Sequence, residues 1–356
     1  MRLWMYGCGA DPVHGARRLA RLGFSAVAGG PELIGAAAEY GLDCYLCTGA
    51  FGYNGDFKRE EYLTVDVNGD RRLWFGSTCP TNPGVRARNL EDIKQLAANR
   101  GVKGILIDGC RFASPASSDD IEAFFTCFCD GCMTKARGLG FDAGRMHAAA
   151  RELYRLYRGE GNAAAFAERH ASGLADWFAF RRAATTEHLI DFIDVVKSAG
   201  LLAGIYIFTP SLSFLVGQNY TDLADKMDII APMVYRKYKE PHGPACLNHE
   251  WGAVYKILHG VCGDRRAGGM LSAMLGYPVT ADIVDNGFDT GIVYDETKRA
   301  ADIAGGEKTA PIILLDDDDV SGCLDACRRA GAETAQFFLY DEALLTAAEA
   351  QGAFSV

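Results

Sequence analysis

No apolar run in the chain approaches the ~20 residues that a membrane-spanning helix needs, so no membrane partner is expected. Basic clusters are missing too. The 36 Lys and Arg stand against 46 Asp and Glu, a net charge of −10. An acidic chain without a basic patch is a poor binder of nucleic acid or anionic lipid. The first residues, Met1-Arg2-Leu3-Trp4-Met5-Tyr6, lack the basic region, long apolar core and cleavage site of a secretory signal. A cytoplasmic location is therefore expected. In that compartment the twelve cysteines read as buried thiols or metal ligands rather than a disulfide framework. No His-x-x-x-His pair occurs, which argues against a catalytic zinc. The Cys-x-x-x-Cys-x-x-Cys spacing of a radical-SAM cluster is also absent. Repeats and Pro/Gly/Ser-rich linkers are missing, and the only low-complexity tract is the four aspartates 316–319. A single domain over 1–356 is expected.

What is present is ordinary globular composition, 49% hydrophobic and 23% charged. Short apolar runs at 3–6, 25–28, 44–48, 104–108, 203–208, 229–235, 312–316 and 335–340 read as eight strands. Amphipathic patterns, such as 11–22, 31–40 and 89–100, separate most of them. Eight alternating units predict an α/β fold, a (β/α)8 TIM barrel with a closed parallel sheet. Long inserts are expected after strands 3, 4 and 6. The insert at 50–80 carries a hairpin signal, Asn68-Gly69 between 62–67 and 71–75. The insert at 110–160 leads into a long helical stretch at 163–198, and the third spans 242–305, with helices near 249–259 and 297–304. Such inserts make a homo-oligomer possible.

Barrel enzymes act at the carboxyl ends of their strands, which directs attention to the strand exits. The fourth strand ends in Asp108-Gly109-Cys110-Arg111-Phe112. A carboxylate there can serve as nucleophile or stabilise an oxocarbenium ion, with Arg111 orienting it or binding substrate hydroxyls. The plainer account is a cap paired with a structural arginine. A glycosidase needs a second carboxyl group. Asp316, first of the four adjacent aspartates after strand 7, is the leading choice, because crowded carboxylates push one another's pKa up. The same run suits a hard divalent cation, and a solvated loop with a helix cap accounts for at least two of the four. Asp341 after strand 8 follows, then Asp295-Glu296. Tyr235, Arg236 and Tyr340 sit at strand exits as substrate-positioning groups, and Trp74 and Tyr220 are candidate sugar platforms. Each of these aromatics equally suits core packing. His242 and His249 lie in the loop after strand 6, within reach of the rim.

Cys127-Phe128-Cys129-Asp130-Gly131-Cys132 presents three thiols from one loop. Tetrahedral zinc needs a fourth ligand; Cys79 is the best candidate and Cys110 the next. Reduced thiols packed around a loop are the alternative.

Three stretches carry resemblances. Asp108-x-x-Arg111-Phe112-x-x-Pro115 resembles a stretch of uncharacterised glycosyl-hydrolase-like barrels, in a likeness covering roughly 70–240; where those proteins place an aspartate early in the strand, this chain has Lys103. Asp228-x-x-x-Pro232-Met233-x-Tyr235 is similar to a strand of glycosidase-like barrels, in which the tyrosine faces the sugar. Cys79-Pro80-Thr81-Asn82-Pro83 followed by Cys127, Cys129 and Cys132 is similar to the zinc loop of the family 42 β-galactosidases. That resemblance implies a structural zinc held by four cysteines, Cys79, Cys127, Cys129 and Cys132. It does not extend to the catalytic acid, since that family ends the strand in Asn-Glu where this chain has Asp108-Gly109.

The reading is a glycoside hydrolase acting on a carbohydrate, with Asp108 and either Asp316 or Asp341 as its carboxylates. A metal-dependent sugar isomerase, epimerase or lyase, or a barrel that binds carbohydrate without turnover, are the alternatives. A Schiff-base aldolase is disfavoured, because no strand exit carries a lysine.

Overall fold

The computed structural model describes residues 1–53, 58–118, 120–238, 245–279 and 283–354. Eight strands form one sheet: β1 (Arg2–Tyr6), β2 (Ala26–Gly29), β3 (Asp43–Gly49), β4 (Gly104–Asp108), β5 (Leu202–Ile207), β6 (Ile229–Pro232), β7 (Ile312–Leu314) and β8 (Thr334–Phe338). Every neighbouring pair runs parallel, from β6 through β1 to β8 and β7. The remaining seam closes through two parallel bridges, Ile230 with Thr309 and Met233 with Ile312. Hydrogen bonds from Ile230 N to Lys308 O and from Ala310 N to Ile230 O, 2.8 and 2.9 Å, hold it. The fold is the expected (β/α)8 barrel.

The helices on the first half are α1 (Pro12–Arg21), α2 (Leu33–Glu39), α3 (Pro83–Ala97), α4 (Asp130–Gly138), α5 (Ala143–Tyr157), α6 (Ala163–Arg169) and α7 (Ala171–Ser198). Those on the second half are α8 (Tyr220–Leu223), α9 (Leu247–Cys262), α10 (Asp264–Leu275), α11 (Ile283–Asn286), α12 (Thr290–Ala304), α13 (Val320–Arg329) and α14 (Glu342–Ala350). None of the described helices is long and apolar enough to cross a membrane.

Side chains alternate across a strand, and the alternation sorts the core. Leu3, Met5, Ile105, Ile107, Ile205 and Ile207 pack outward against helices. Trp4, Tyr45, Leu106, Tyr206 and Leu314 fill the lumen, where Trp4 stacks on Tyr45 at 4.4 Å. Asp108 is two residues beyond Leu106, so it stands on the lumen face at the carboxyl end.

Several boundaries differ from expectation for local reasons. The sixth strand ends at Pro232 rather than 235, because proline offers no N–H to the ladder. Beyond it Met233 N and Val234 N still bond Ile207 O and Ile312 O. The seventh strand stops at Leu314, where the aspartates begin. The third helix starts at Pro83, not 89, because Asn82 caps it through Gly84 N and Val85 N. The stretch 163–198 is two helices, interrupted at His170. The run 292–294, which precedes Asp295-Glu296, lies inside α12. In the insert after β3, Thr64–Val65 pairs antiparallel with Arg71–Arg72. The connection is five residues rather than a two-residue Asn-Gly turn. Asp66 organises it, its Oδ1 accepting from Asn68 N and Asp70 N at 2.8 and 3.0 Å.

Candidate active site and cysteine centre

A cavity of about 80 Å³ opens at the carboxyl end of the barrel. Asp108, Arg111, Tyr235, Glu250, Phe338 and Phe75 are among its lining residues. Asp108 has one oxygen engaged at 2.7 Å by the Gly109 N–H. That contact folds back because Gly109 adopts a φ of 67°. Burial pushes the Asp108 carboxyl up, against the pull of Arg111 and the Gly109 amide.

Arg111 is buried. Its guanidinium lies between the Trp74 and Phe208 rings, 4.8 and 4.6 Å from their centroids. Arg111 Nη1 donates to Phe112 O and to Ser117 Oγ, both at 3.0 Å. Ser114 Oγ donates to Glu250 Oε1 at 2.6 Å, and Ala116 N donates to Oε2 at 3.2 Å. The two serine hydroxyls touch at 2.5 Å. Since Ser114 spends its proton on Glu250, the chain runs from Arg111 to Ser117 to Ser114 to Glu250. Burial raises the Glu250 carboxyl, and Ser114, Arg111 and the Ala116 amide oppose it. Burial lowers the Arg111 pKa, while Glu250 and Asp108 raise it. Two carboxyl groups and one arginine thus line one cavity.

Glu250 was not singled out from the sequence. A signal existed: Leu247, Glu250, Trp251, Val254 and Ile257 are the buried stripe of α9. An acid on the apolar face of a helix is a residue with a reason to be there.

Asp108, Arg111 and Tyr235 meet at the cavity, as the strand-exit rule leads one to expect. The others go elsewhere. Asp316 is exposed, and Asp341 caps α14 through Leu344 N at 2.9 Å; neither lines the cavity. Asp319 caps α13 through Gly322 N. Arg236 donates to Asp317 Oδ1 at 2.6 and 3.1 Å and to Phe288 O at 2.9 Å, and it also binds Asp318. Tyr340 donates to Glu342 and lies over Gly9. Tyr220 is buried, its hydroxyl on Phe208 O at 2.7 Å. Trp74 is fully buried beneath Arg111. Glu296 is buried on Ser211 N and Arg299. His249 Nε2 meets Tyr238 O at 2.8 Å. His242 lies outside the described residues.

The Arg236–Asp317 pair is buried, with the two side chains 7% and 3% exposed. Removing one partner of a buried pair strands the other charge, at a cost of about 3–5 kcal/mol. Arg236→Met is therefore expected to lower stability by about 3 kcal/mol in urea unfolding, with KM unchanged for any substrate the cavity takes.

The second centre is sulfur. The Sγ atoms of Cys79, Cys127, Cys129 and Cys132 lie within 4.8 Å of one another, and this is the one such group among the described residues. Two amides point at the sulfurs, Val65 N at Cys127 and Cys132 N at Cys129, 3.3 and 3.4 Å away. Thr81 Oγ1 lies 2.8 Å from the Cys132 sulfur. Hydrogen bonds from the neighbouring thiols hold Cys129 low, toward thiolate. Buried sulfurs converging on one point, with N–H donors around them, fit a metal ion. Cys110 is not in the group.

No protein-family model matches the sequence, and no curated protein matches it either. Solved structures do. The glycoside hydrolase domain of PgaB (BpsB) from Bordetella bronchiseptica is 12% identical, with a TM-score of 0.59 over 100% of this chain and 98% of that one. The catalytic domain of the β-amylase from Paenibacillus polymyxa is 11% identical, with a TM-score of 0.56 over 95% and 92%. At such identities the likeness is one of fold. The likeness to family 42 rests on the cysteine spacing alone.

Proposed function

We propose that the chain is a glycoside hydrolase. The observation that carries this reading is a pair of carboxyl groups, the half-buried Asp108 and the buried Glu250, lining one rim cavity together with Arg111. Glycosidic cleavage uses two carboxyl groups in different protonation states. Here burial favours the neutral acid at both, while one arginine favours a single anion between them. Asp108, with one oxygen left over from Gly109, takes the place at the anomeric carbon, as nucleophile or stabiliser. Glu250, rather than Asp316 or Asp341, is the second group and exchanges the proton with the leaving oxygen. The solved barrels of similar fold are a glycoside hydrolase domain and the catalytic domain of a β-amylase, which supports a carbohydrate substrate. Of the four aspartates that the isomerase and lyase reading relies on, Asp317 and Asp318 face Arg236 and Lys237 and Asp319 caps a helix, which supports the hydrolase reading over it.

The test is hydrolysis of a panel of aryl glycosides and oligosaccharides, read by released reducing ends, with Asp108→Asn alongside. Cleavage that the substitution removes without unfolding supports the assignment. Cleavage that survives it discards Asp108, and a wild-type protein that cleaves nothing on a broad panel discards the hydrolase.

Phe75 supplies the sugar platform in this reading, in place of Trp74. It lines the cavity, is 63% exposed and has a φ of 45°. Ser77 N bonding Trp74 O at 2.7 Å closes the turn that presents it. A phenylalanine in the left-handed region costs about 1 kcal/mol or more, and an exposed ring recovers none of that by burial. Phe75→Gly is expected to raise Tm slightly and to raise KM for an oligosaccharide roughly three- to tenfold, the worth of one aromatic contact. A KM that stays put while Tm rises argues against the platform.

Zinc is the metal proposed for the cysteine centre, because four thiolates in a closed site suit it. It would be structural, with Cys79, Cys127, Cys129 and Cys132 as ligands and no part in bond cleavage. The twelve free cysteines suit a reducing, cytoplasmic setting.

A further inference from the structure

Arg181, on α7, is a fully buried cation that the proposed reaction does not use. Its Nη1 donates to Leu215 O at 2.6 Å, and its Nη2 donates to Phe124 O and Thr126 O. Its Nε has no partner among the described residues. The guanidinium lies 3.9 Å from the Trp177 ring centre, 5.0 Å from Phe124 and 5.2 Å from Phe112. Carbonyls and ring faces solvate a cation but bring no net negative charge. Among the described residues no carboxylate forms an ion pair with it. A buried charge without a counter-charge is costly, and guanidinium does not shed its proton to escape that cost.

The opposing charge within reach is sulfur. The carbonyl of Thr126, next to Cys127 in the chain, accepts from Arg181, which sets the guanidinium beside the tetracysteine centre. Four thiolates around a divalent ion carry a net charge of about −2. We infer that Arg181 is the buried counter-cation of a metal-loaded tetracysteine centre, tying metal occupancy to the seating of the segments it bonds, 124–126 and 212–217. The second of these reaches the active site. Val216 O accepts from Phe112 N at 2.9 Å, Phe112 O accepts from Arg111, and Gln218 Nε2 donates to Cys110 O. Gly217 shows how tight the seat is: at φ 80° a Cβ there would stand 2.6 Å from Arg181 O.

This rests on the cysteines holding a metal and is independent of whether the cavity hydrolyses glycosides. The experiment is competition for zinc and cobalt against a chromophoric chelator, using wild type, Arg181→Met and Arg181→Lys. The methionine variant, similar in length and uncharged, is expected to hold metal at least about tenfold more weakly, the usual effect of losing an outer-shell partner. The lysine variant should fall between it and wild type. Equal affinity in wild type and Arg181→Met overturns the inference and leaves the metal site standing. A wild type that takes up neither ion overturns both. If Arg181→Met fails to fold, hydrogen exchange of wild type with and without zinc decides. Residues 212–217 should exchange more than tenfold faster without metal, and unchanged protection there overturns the link.

Discussion

Replacing Asp108 with asparagine is expected to cut glycoside cleavage by at least about 10³-fold, the scale on which a positioned carboxyl group contributes. The same change should make the protein more stable at neutral pH, by about 2 °C in Tm. Burial raises the Asp108 carboxyl in the folded state, so folding disfavours its ionised form. Its neutral form costs nothing relative to the unfolded chain below the ordinary value of 3.8. As pH rises from there through the raised folded value, the wild type loses stability and the asparagine variant does not. The gap between the two should be full at neutral pH and vanish below about pH 3.8. Asparagine also keeps the acceptor that Gly109 N–H needs, so no hydrogen bond is lost to confuse the comparison. Glu250→Gln should follow the same course. Its amide can accept from Ala116 N and donate to Ser114 Oγ, whose hydroxyl turns to suit. Thermal melts at several pH values, beside initial rates, check both. An asparagine variant that loses activity and stability together points to a structural role for Asp108 instead.

That coupling of activity to instability was half legible in the sequence. Asp108 ends a continuous apolar run, Gly104-Ile105-Leu106-Ile107, and a strand-end acid in a barrel lies at the rim wherever its register falls. Arg111 and three of the cysteines were legible too, because their signals are local, a loop of fixed spacing and a residue three beyond the strand, whereas Cys79 lies 48 residues upstream of that loop. Helix caps were equally local but competed with chemistry. Asp341 and Asp319 offer the same carboxylate to a catalytic reading and to a backbone N–H, and here the helix starts claim them. Asp317 shows the same competition, settled by Arg236 across the rim. Glu250 lay beyond reach for a different reason. Its partners, Ser114 and Arg111, are more than a hundred residues away in sequence and meet it only at the cavity. Trp74 lies buried and Phe75 exposed beside it, with a left-handed backbone at Phe75, a placement that no spacing in the sequence signals.

Removing the metal, or one of its ligands, should have the largest effect on the fold. The cysteines come from separate pieces of the two long inserts. Cys79 stands just before α3, Cys127 and Cys129 lead into α4, and Cys132 lies in its first turn. The hairpin of the first insert joins them, with Val65 N on Cys127 Sγ, Phe128 N on Val65 O, and a bridge between Asp66 and Thr126. A bound ion would add a further tie between the two inserts at the cysteines. A ligand present at about 1,000 times its dissociation constant stabilises by about 4 kcal/mol. Chelation, or Cys129→Ser, is therefore expected to lower Tm by roughly 5 °C. The loss should not stop at the inserts. Trp74 belongs to the first and Arg111 to the start of the second, and their contact of 4.8 Å spans the seam that the cysteines close. As the seam opens, Arg111 loses one of its two aromatic walls, and Asp108 and Glu250 lose a well-placed cation. Activity should fall with chelation even though no ligand touches the cavity, and zinc should restore both Tm and rate. Melting and initial rates measured on one chelated and reloaded sample test this. A protein that melts and turns over identically without metal would show that packed thiols alone hold the inserts.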